Sequence, residues 1–447
     1  MQALVHLPSR LSGTVRVPAS KSICNRVLVM SVLAAGRAGM ARVRNLSDCD
    51  DTQVMLRALS SGAERADIGA AGTAMRFLTA LYAATPGRHR LTGSERMLQR
   101  PIGVLVEALR QLGAQVDYAG REGYPPLAID GRRLAGGEVQ LSAGVSSQYI
   151  SALLMVGPTM EHGLRLHLEG EIISRPYIDM TLGLMQAFGA EVGWADGRTL
   201  VVRPQAYRGV ETFEVENDWS GASYWYEAVA LSPDAGAQLV LPGLCRDSLQ
   251  GDAAVRRFFE PLGVRTAFTP DGVVLTKAGS GETAAVTENP VSRPEFSVSR
   301  PAETVSRPEK SLAFDLSSQP DLAQTLAVTC AMLGRPFRLS GLRTLRIKET
   351  DRIAALQAEL AKLGFVVRAE GDDALSWDGQ SCKPDAAPSI ATYDDHRMAL
   401  AFAPCAWRFP GLAVQAPGVV SKSYPGYWQE WERLGAQVER MEEGGAA

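Results

Sequence analysis

Residues 105–118 read LVEALRQLGAQVDY, and the fold can be argued outward from this stretch. Apolar residues at i, i+3 and i+4 spacing before Gly113 predict an amphipathic helix, and the near-alternation after it predicts a short strand. A glycine just past a helix suits the left-handed C-cap, where a Cβ atom would be penalised. Five further stretches have the same pattern: LRALSSGAERAD (56–67), LGLMQAFGAEVGW (182–194), VRRFFEPLGVRTAF (255–268), LQAELAKLGFVVRAE (356–370) and WQEWERLGAQVER (428–440).

The six stretches, three in each half of the chain, indicate a duplicated architecture of repeated helix–strand–strand modules. Many α/β proteins end a helix with Leu-Gly, which explains one such stretch but not six spread over the whole chain. The sequence therefore predicts the α/β fold class with two similar halves. The length of 447 residues agrees, because a single hydrophobic core stops growing at about 250–300 residues.

Composition and charge exclude several classes of protein. The formal net charge is −3 at pH 7, so no global field attracts nucleic acid or an anionic membrane. No apolar run of about 18 residues is visible and the N-terminus lacks a secretory signal pattern, so we expect no membrane span. The six cysteines are scattered without a CxxC pair, and there are five histidines. This pattern favours reduced thiols in a cytoplasmic protein over a disulfide framework or a zinc site.

One segment departs from the repeat. Residues 291–311 read VSRPEFSVSRPAETVSRPEKS, a tandem heptad with a proline in each copy. A proline every seventh residue forbids a continuous helix or a central strand, and little apolar surface remains to offset the entropy of ordering. We therefore expect a flexible, solvated surface insertion over about 280–311, with a binding role as the alternative.

Polar segments that precede predicted helices dominate the first half. Five segments each combine Gly, Ser or Pro with side chains that donate hydrogen bonds: PASKSICNR (18–26), GAAGTAMRFLTA (69–80), RMLQRPIG (96–103), GVSSQYISALLM (144–155) and IISRPYID (172–179). Their candidate binding residues are Lys21, Ser22, Arg26, Gly72, Arg100, Ser146, Ser147, Gln148, Ser174 and Tyr177. Free N–H groups at a helix start favour anions, although any one segment alone is more often ordinary capping.

The second half supplies the titrating side chains. Four segments contain most of the candidates: SSQPDLAQT, RIKETDR, TYDDHRMAL and VVSKSYPGYW. The candidates are Asp321, Lys348, Glu349, Arg352, Asp395, His396, Arg397 and Lys422, together with Thr344 just before RIKETDR. Surface salt bridges explain any one of these segments, and a metal site at Asp-Asp-His is disfavoured. Together, the cations in both halves and the interleaved carboxylates predict an inter-domain cleft that binds a pair of polyanionic, phosphorylated ligands.

In order, and from residue 13 to 428, these segments closely resemble the 5-enolpyruvylshikimate-3-phosphate synthase family. The resemblance implies an inside-out α/β barrel, the enolpyruvyl transferase fold, with two similar domains of three βαβαββ repeats each. The first domain would be residues 13–217, and the second would combine residues 1–12 with 218–447. The chain would cross between them near Gly13 and near Asn217–Asp218.

The resemblance also implies an activity. The enolpyruvyl group of phosphoenolpyruvate would pass to the 5-hydroxyl of shikimate 3-phosphate with release of phosphate, a step toward chorismate and the aromatic amino acids. No metal or organic cofactor would be needed, and we expect a cytoplasmic monomer that binds neither nucleic acid nor a membrane. The herbicide glyphosate would compete for the phosphoenolpyruvate pocket.

Residue roles follow from the same resemblance. Asp321 would take the proton of the 5-hydroxyl, Glu349 would protonate the methylene carbon, and Lys21 would assist both. The shikimate 3-phosphate ligands would be Lys21, Ser22, Arg26, Ser146, Ser147, Gln148, Ser174, Tyr177, Asp321, Thr344 and Lys348. The phosphoenolpyruvate ligands would be Lys21, Gly72, Arg100, Gln148, Arg352, Arg397 and Lys422.

Three residues depart from the family pattern. Ala70 and Phe77 replace the usual Asn and Pro around AGTAMR, Thr344 stands where Asn often occurs, and we expect Phe77 to narrow the phosphoenolpyruvate pocket. Two rival hypotheses are the related enzyme that transfers enolpyruvyl to UDP-N-acetylglucosamine, and a catalytically inactive phosphometabolite sensor. The first has a loop cysteine flanked by Arg that is missing here, and the second has no need of both Asp321 and Glu349.

We predict that deletion of residues 291–311 leaves enolpyruvyl transfer nearly unchanged, because a segment with so little apolar surface adds little to a packed core. Phosphate release and thermal unfolding of the shortened and full-length proteins measure this. A shortened protein that no longer folds would show that the heptads pack against the second domain.

Overall fold

The computed structural model describes residues 1–142, 144, 146–279 and 311–441. The predicted insertion over 280–311 therefore lies, except for Ser311, outside the described residues. The helices are α1 (Lys21–Ala35), α2 (Asp50–Ser61), α3 (Gly72–Ala84), α4 (Glu95–Leu98), α5 (Gly103–Gln111), α6 (Ser147–Val156), α7 (Arg175–Ala187), α8 (Trp219–Leu231), α9 (Val255–Phe259), α10 (Ala323–Met332), α11 (Arg352–Lys362), α12 (His396–Phe402) and α13 (Tyr427–Arg433).

The strands are short, as the near-alternating stretches predict. They are β1 (Gln2–His6), β2 (Ser12–Thr14), β3 (Val43–Arg44), β4 (Arg65–Asp67), β5 (Gly87–Thr92), β6 (Gln115–Tyr118), β7 (Leu127–Gly131), β8 (Gly137–Ser142), β9 (Leu164–Glu169), β10 (Val192–Trp194), β11 (Thr199–Val202), β12 (Phe213–Glu214), β13 (Gln238–Leu241), β14 (Val264–Thr269), β15 (Gly272–Lys277), β16 (Leu312–Asp315), β17 (Phe337–Ser340), β18 (Arg368–Glu370), β19 (Ala374–Trp377), β20 (Ser389–Ile390), β21 (Leu412–Gln415) and β22 (Gln437–Met441).

Five four-stranded sheets share one topology. Their strand orders are β4-β5-β7-β6, β8-β9-β11-β10, β2-β13-β15-β14, β16-β17-β19-β18 and β20-β21-β1-β22. In each sheet the first two strands are parallel and the other two pairs are antiparallel. In each sheet one helix precedes the second strand and another helix precedes the closing strands, which is the βαβαββ unit. Strands β1 and β2 join their sheets from the N-terminal end of the chain. The predicted α/β fold class is confirmed.

The glycines that end the second helices have the predicted backbone conformation. Gly62, Gly113, Gly189, Gly263, Gly364 and Gly435 have φ values between +61° and +99°. At Gly113 the amide still donates to the carbonyl of Arg110, at 3.0 Å, while the chain turns toward β6. A Cβ would be penalised in this left-handed region, so glycine lets the chain leave the helix at once for the next strand.

The unit that contains Gly62 differs from the other five. After Gly62 the chain enters β4, which pairs in parallel with β5 of the following sheet instead of forming a hairpin. This first unit, α1–β3–α2, is completed by β12 from far along the chain, and its sheet has two strands, β12 and β3, in the described residues. Only Ala63 and Glu64 separate Gly62 from β4, so the chain passes directly from α2 into the next sheet.

The first helix of each unit is buried on all sides. In α10, for example, every residue from Ala323 to Ala331 is buried. Helices α1, α3 and α6 pack on one another, as do α8, α10 and α12, and the sheets surround both groups. A helix that is apolar all round is stable only inside a protein. These helices therefore form the two interiors of the molecule.

Two clusters of buried hydrophobic residues define two lobes. The first cluster includes residues from Ala19 to Val215, and the second includes residues from Val5 to Val17 and from Trp219 to Ala436. We call the surrounding structures the first lobe and the second lobe. β1 and β2 belong to sheets of the second lobe, because they pair with β21 and β22 and with β13 respectively.

The chain passes between the lobes twice, side by side. Ala19 and Asn217 form an antiparallel bridge. The amide of Ser20 donates to the carbonyl of Glu216 at 2.9 Å, and the amide of Asp218 donates to the carbonyl of Pro18 at 2.8 Å. Two short hydrogen-bonded strands thus connect the lobes, and α1 and α8 begin directly beyond them.

One helical stretch, Lys21–Arg42, is long and apolar enough to span a membrane by length and composition alone. All of its residues from Ile23 to Ser31 are buried inside the first lobe. Its apolarity is therefore accounted for by its place in the core of that lobe.

Candidate active site

A cavity of about 340 Å³ lies between the two lobes. The sequence-predicted residues that line it are Lys21, Ser22, Arg26, Gly72, Arg100, Ser146, Ser147, Gln148, Ser174, Tyr177, Asp321, Thr344, Lys348, Glu349, Arg352 and Arg397. Lys422 does not line the cavity, whereas Glu349 does. Nζ of Lys422 lies 3.4 Å from Oε1 of Glu349. Lys21 and Arg397, which are 376 positions apart in sequence, therefore line the same cavity.

The buried helices begin at this cavity. α1 starts at Lys21, α3 at Gly72, α6 at Ser147 and α12 at His396, and each of these residues lines it. Asp321 lies in the 3₁₀ turn Pro320–Leu322 that leads into α10. Because helix N-termini carry free N–H groups and a partial positive charge, their convergence favours anions even before side chains are counted.

Arg352 organises the carboxylates of the second lobe. Its Nε donates to Oδ2 of Asp395 at 2.6 Å, its Nη1 to Oδ1 of Asp321 at 3.0 Å, and its Nη2 to Oε2 of Glu349 at 3.0 Å. Arg352 is 1% exposed, and Asp395 is fully buried. The planar fork of a guanidinium suits such a set of partners, which a lysine could not hold in fixed geometry.

Asp321 has three cationic neighbours. Burial disfavours its charged form, but Arg397, whose Nη2 is 2.8 Å from Oδ2, together with Lys348 and Arg352, outweighs burial. The pKa of Asp321 is therefore held well below its ordinary value. Asp321 is therefore ionised, and each of its oxygens accepts from a guanidinium, Oδ1 from Arg352 and Oδ2 from Arg397.

Glu349 is also ionised in the ligand-free site. Burial again disfavours its charged form, and Arg352 and Lys422 outweigh burial and place the pKa of Glu349 well below its ordinary range. Its two oxygens lie 3.0 Å from Arg352 and 3.4 Å from Lys422. An anion that took over either cation would raise this pKa, because it would remove the stabilising charge and add a like charge.

The first lobe contributes cations with few carboxylate partners. Nζ of Lys21 lies 3.1 Å from a carboxylate oxygen of Asp51. Burial lowers the pKa of Lys21, but Asp51 and the other nearby anions outweigh burial, so the pKa is raised. Arg26 donates through Nε to the hydroxyl of Thr181 at 2.7 Å and through Nη1 to the carbonyl of Ser22 at 2.8 Å. Burial lowers the pKa of Arg26 to about 10, still far above neutral, so it stays charged.

Hydroxyl groups from two helix starts face the cavity beside Lys348. Ser146 caps α6 and accepts from the amide of Gln148 at 3.3 Å, and Ser147 is the first residue of that helix. Ser174 precedes α7 with φ of +58°, an uncommon conformation for a residue other than glycine. Its amide donates across the cleft to the carbonyl of Ser317 at 2.9 Å. This inter-lobe bond helps hold Ser174 in its strained geometry.

Gly72 and Arg100 are in close contact. A Cβ added at Gly72 would lie 2.6 Å from Nη1 of Arg100. Burial first, and then Arg76, lowers the pKa of Arg100 to about 10. Gln148 donates to the hydroxyl of Thr73 at 3.1 Å, one residue after Gly72. The lack of a side chain at position 72 therefore leaves room for the guanidinium of Arg100 at the start of α3.

Two departures from the family pattern can be placed. The carbonyl of Ala70 accepts from Nζ of Lys422 at 3.1 Å, so this position holds the lysine through its backbone. Phe77 is fully buried, lies 5.3 Å from the guanidinium carbon of Arg26, and is not among the cavity-lining residues. The prediction that Phe77 narrows the pocket is wrong, because it lies on the core side of α3, five residues after Gly72.

Sequence reasoning did not select several lining residues: Asp51, Thr73, Arg76, Tyr149, Asp218, Ser220, Gly221 and Tyr224. Asp218 caps α8, its carboxylate accepting from the amide of Gly221 at 3.1 Å, and burial raises its pKa to about 6. The Asp-Trp-Ser sequence before an apolar helix is a capping signal that could have identified Asp218. The hydroxyl of Tyr224 accepts from Nη1 of Arg397 at 3.2 Å. Its surrounding sequence gives no such signal.

Comparison with known proteins agrees with this geometry. The family model described as EPSP synthase (3-phosphoshikimate 1-carboxyvinyltransferase) matches residues 5–65 and 60–431. The protein named 3-phosphoshikimate 1-carboxyvinyltransferase of Bacteroides fragilis strain YCH46 is 49% identical over 443 residues, with 99% of this chain and 100% of that protein covered. That of Bordetella petrii is 37% identical, with 94% of each chain covered.

Solved structures show the same fold. EPSP synthase from Acinetobacter baumannii matches with a TM-score of 0.73 at 21% identity, over 98% of this chain and 100% of that one. The enolpyruvyl transferase NikO from Streptomyces tendae matches with a TM-score of 0.66 at 17% identity, over 98% of each chain. With the family model matched along nearly the whole sequence, the chain belongs to the EPSP synthase (3-phosphoshikimate 1-carboxyvinyltransferase) family.

Proposed function

We propose that this protein is a 3-phosphoshikimate 1-carboxyvinyltransferase, which transfers the enolpyruvyl group of phosphoenolpyruvate to the 5-hydroxyl of shikimate 3-phosphate and releases phosphate. One observation carries the proposal: two carboxylates, Asp321 and Glu349, share the cation Arg352 in a cavity lined by helix starts from both lobes. Two phosphorylated substrates need many donors, whereas chemistry at a hydroxyl and at a methylene carbon needs a base and an acid.

Shikimate 3-phosphate is assigned to the side of the cavity that the serines line. Ser146, Ser147 and Ser174 offer hydroxyl donors, and Lys348 adds a positive charge, so together they suit the 3-phosphate. The remaining ligands on this side are Lys21, Ser22, Arg26, Gln148, Tyr177, Asp321 and Thr344. Asp321 thereby faces a ring hydroxyl rather than the phosphate, which its charge would repel.

Phosphoenolpyruvate is assigned to the side that contains Glu349. Three cations lie near this carboxylate: Arg352, Lys422 and Arg100. A fourth, Arg397, pairs with Asp321. The lack of a side chain at Gly72 leaves room for Arg100. Lys21 and Gln148 lie between the two substrates. The carboxylate and phosphate of phosphoenolpyruvate would replace Glu349 and Asp321 as partners of these cations.

The exchange of partners supplies the proton for the reaction. As the phosphoenolpyruvate anion takes Lys422 and part of Arg352, the pKa of Glu349 rises and the carboxyl group takes up a proton. Glu349 donates this proton to the methylene carbon while Asp321 accepts the proton of the 5-hydroxyl, whose oxygen bonds to C2 of phosphoenolpyruvate. The bond between C2 and the phosphate oxygen then breaks, and phosphate leaves with the proton that Asp321 took from the 5-hydroxyl. A methyl proton returns to Glu349, which forms the C=C bond of the enol ether product.

We further propose that the lobes are the two predicted domains, 13–217 and 1–12 with 218–447, and that the protein acts as a cytoplasmic monomer. Two short strands connect the lobes, so the connection between them is narrow. All six cysteines are free thiols, which suits a reducing compartment.

Acceptor choice separates this function from its rivals. Phosphate release from phosphoenolpyruvate is measured with shikimate 3-phosphate and, in parallel, with UDP-N-acetylglucosamine. We expect turnover with shikimate 3-phosphate alone. Turnover with the nucleotide sugar would assign the related enolpyruvyl transfer, and binding of shikimate 3-phosphate without turnover would indicate a sensor.

We predict that Glu349→Gln lowers kcat by about 10²-fold or more, the usual range for loss of a general acid, with near-normal affinity for shikimate 3-phosphate. The amide keeps the shape of the side chain and has no proton of suitable acidity. Steady-state kinetics and calorimetry measure the two quantities. The matched control is Glu370→Gln, since Glu370 pairs with Arg338 at 2.8 Å on the exposed edge of the same lobe. Wild-type turnover in Glu349→Gln would remove this residue from the mechanism.

We predict that Gly72→Ala weakens glyphosate more than phosphoenolpyruvate. The new methyl group would displace the Arg100 guanidinium toward the ligand, and the longer molecule has less room to adjust. Inhibition constants for glyphosate at several phosphoenolpyruvate concentrations, with the KM for phosphoenolpyruvate, measure the effect. Gly197→Ala serves as the control, because its Cβ would meet nothing within 4 Å and Gly197 does not line the cavity. An unchanged ratio of the two affinities would contradict the placement of Gly72.

We predict that shikimate 3-phosphate compacts the protein. Cations of both lobes line the cleft and repel one another, so an anion that binds between them should favour the arrangement in which the lobes touch, as they do at Ser174 and Ser317. Small-angle scattering should show a smaller radius of gyration at saturating ligand, and shikimate without the phosphate is the control. No change at saturation would contradict ligand-induced closure.

A further inference from the structure

Asp252 is a buried carboxylate of the second lobe that contacts the first lobe. It lies in the 3₁₀ turn Gly251–Ala254 before α9 and is 2% exposed. Its Oδ1 accepts from the hydroxyl of Tyr177 at 2.9 Å, and its Oδ2 accepts from the hydroxyl of Ser220. Tyr177 belongs to α7 of the first lobe and Ser220 to α8 of the second, so one carboxylate joins the two lobes.

The segment around Asp252 is packed along one face of α7. A Cβ at Gly251 would lie 2.4 Å from Cβ of Pro176, and a Cβ at Gly183 would lie 2.9 Å from Cδ2 of Leu249. Positions 176 and 183 are seven residues apart and share a helix face. The contact with Tyr177 is therefore part of a fitted inter-lobe surface rather than an isolated hydrogen bond.

The hydrogen bond also determines what Tyr177 can offer to a ligand. Tyr177 and Ser220 both line the cavity, whereas Asp252 does not. Because the hydroxyl proton of Tyr177 is committed to Asp252, its oxygen presents lone pairs to the cavity. A lone pair accepts from a substrate hydroxyl and repels a phosphate, so Tyr177 suits a ring hydroxyl of the acceptor.

We propose that Asp252 is a positioning residue for the acceptor substrate: it fixes the Tyr177 hydroxyl as a hydrogen-bond acceptor for a ring hydroxyl and docks the start of α7 against the second lobe. This inference rests on the proposed function, since the acceptor is taken to be shikimate 3-phosphate. Asp252 itself touches neither substrate.

The test is a double-mutant cycle of Asp252→Asn, Tyr177→Phe and the pair. In Asp252→Asn an amide nitrogen, which donates and cannot accept, replaces one carboxylate oxygen. Tyr177 and Ser220 then cannot each donate to a separate oxygen at position 252, and the fixed orientation of the Tyr177 hydroxyl is lost. Loss of a hydrogen bond to a charged group costs about tenfold or more, so we expect the KM for shikimate 3-phosphate to rise by about that factor in each single variant. The KM for phosphoenolpyruvate should rise less than the KM for shikimate 3-phosphate, because the hydroxyl that loses its partner belongs to Tyr177, which is assigned to the acceptor. The double variant should be little worse than either single one, since both changes remove the same interaction.

Asp247→Asn is the matched control, since Asp247 is an exposed carboxylate in the same loop and does not line the cavity. Wild-type KM values for both substrates in Asp252→Asn, or equal rises in both, would overturn the positioning role. Urea unfolding of the same four proteins reports on the Asp252–Tyr177 bond without any substrate, and additive effects there would also overturn it. Failure of the wild-type protein to release phosphate with shikimate 3-phosphate would instead reject the proposed function.

Discussion

The guanidinium of Arg352 holds together the chemistry of the second lobe. It donates to Asp395, Asp321 and Glu349 at once, while nearly all of its surface is buried. Taking such charges out of water is costly, and only multiple charge-assisted hydrogen bonds can compensate for that cost. The candidate base and the candidate acid are therefore fixed relative to each other by a shared cation.

The same arrangement balances the many cations of the site with carboxylates of the protein. In the second lobe, carboxylates occupy the positions around Arg352, Arg397 and Lys422 that substrate anions would take. In the first lobe, Lys21 has Asp51, whereas Arg26 is held by hydroxyl and carbonyl oxygens. The first lobe thus presents the larger excess of positive charge. Binding of an anion exchanges internal partners for substrate groups, which links affinity directly to the protonation of the carboxylates.

Helix direction in the scaffold complements these side chains. Each βαβαββ unit buries its first helix, and the units are oriented so that these helices begin at the cleft. The sheets, with their hairpins, lie on the outside of the lobes. Because the first unit of each lobe is completed by strands from distant parts of the chain, β12 in one and β2 in the other, the chain must cross between the lobes twice. The two connecting segments lie side by side at Ala19 and Asn217, so the connection between the lobes is narrow.

The sequence by itself determined the repeat and about half of the residues that line the cavity. Left-handed glycines after amphipathic helices are local signals, because the C-cap conformation depends on the residue at that position and its helix. The polar helix starts are local in the same way, and so the lining residues from Lys21 to Arg397 could be selected before their contacts were known. Family resemblance supplied their roles, which local patterns do not contain.

Only the tertiary structure decided which partners these residues have. Gly62 carries the same local signal as Gly113, yet no hairpin follows it in the described residues, because β4 is recruited by β5 of the next sheet. Phe77 faces the core although it follows a site glycine, since the rotation of α3 is set by its packing inside the first lobe. Asp252 gives no signal in sequence at all. Its contact with Tyr177 joins residues 75 positions apart in two lobes, and such a contact exists only once both lobes have folded and docked.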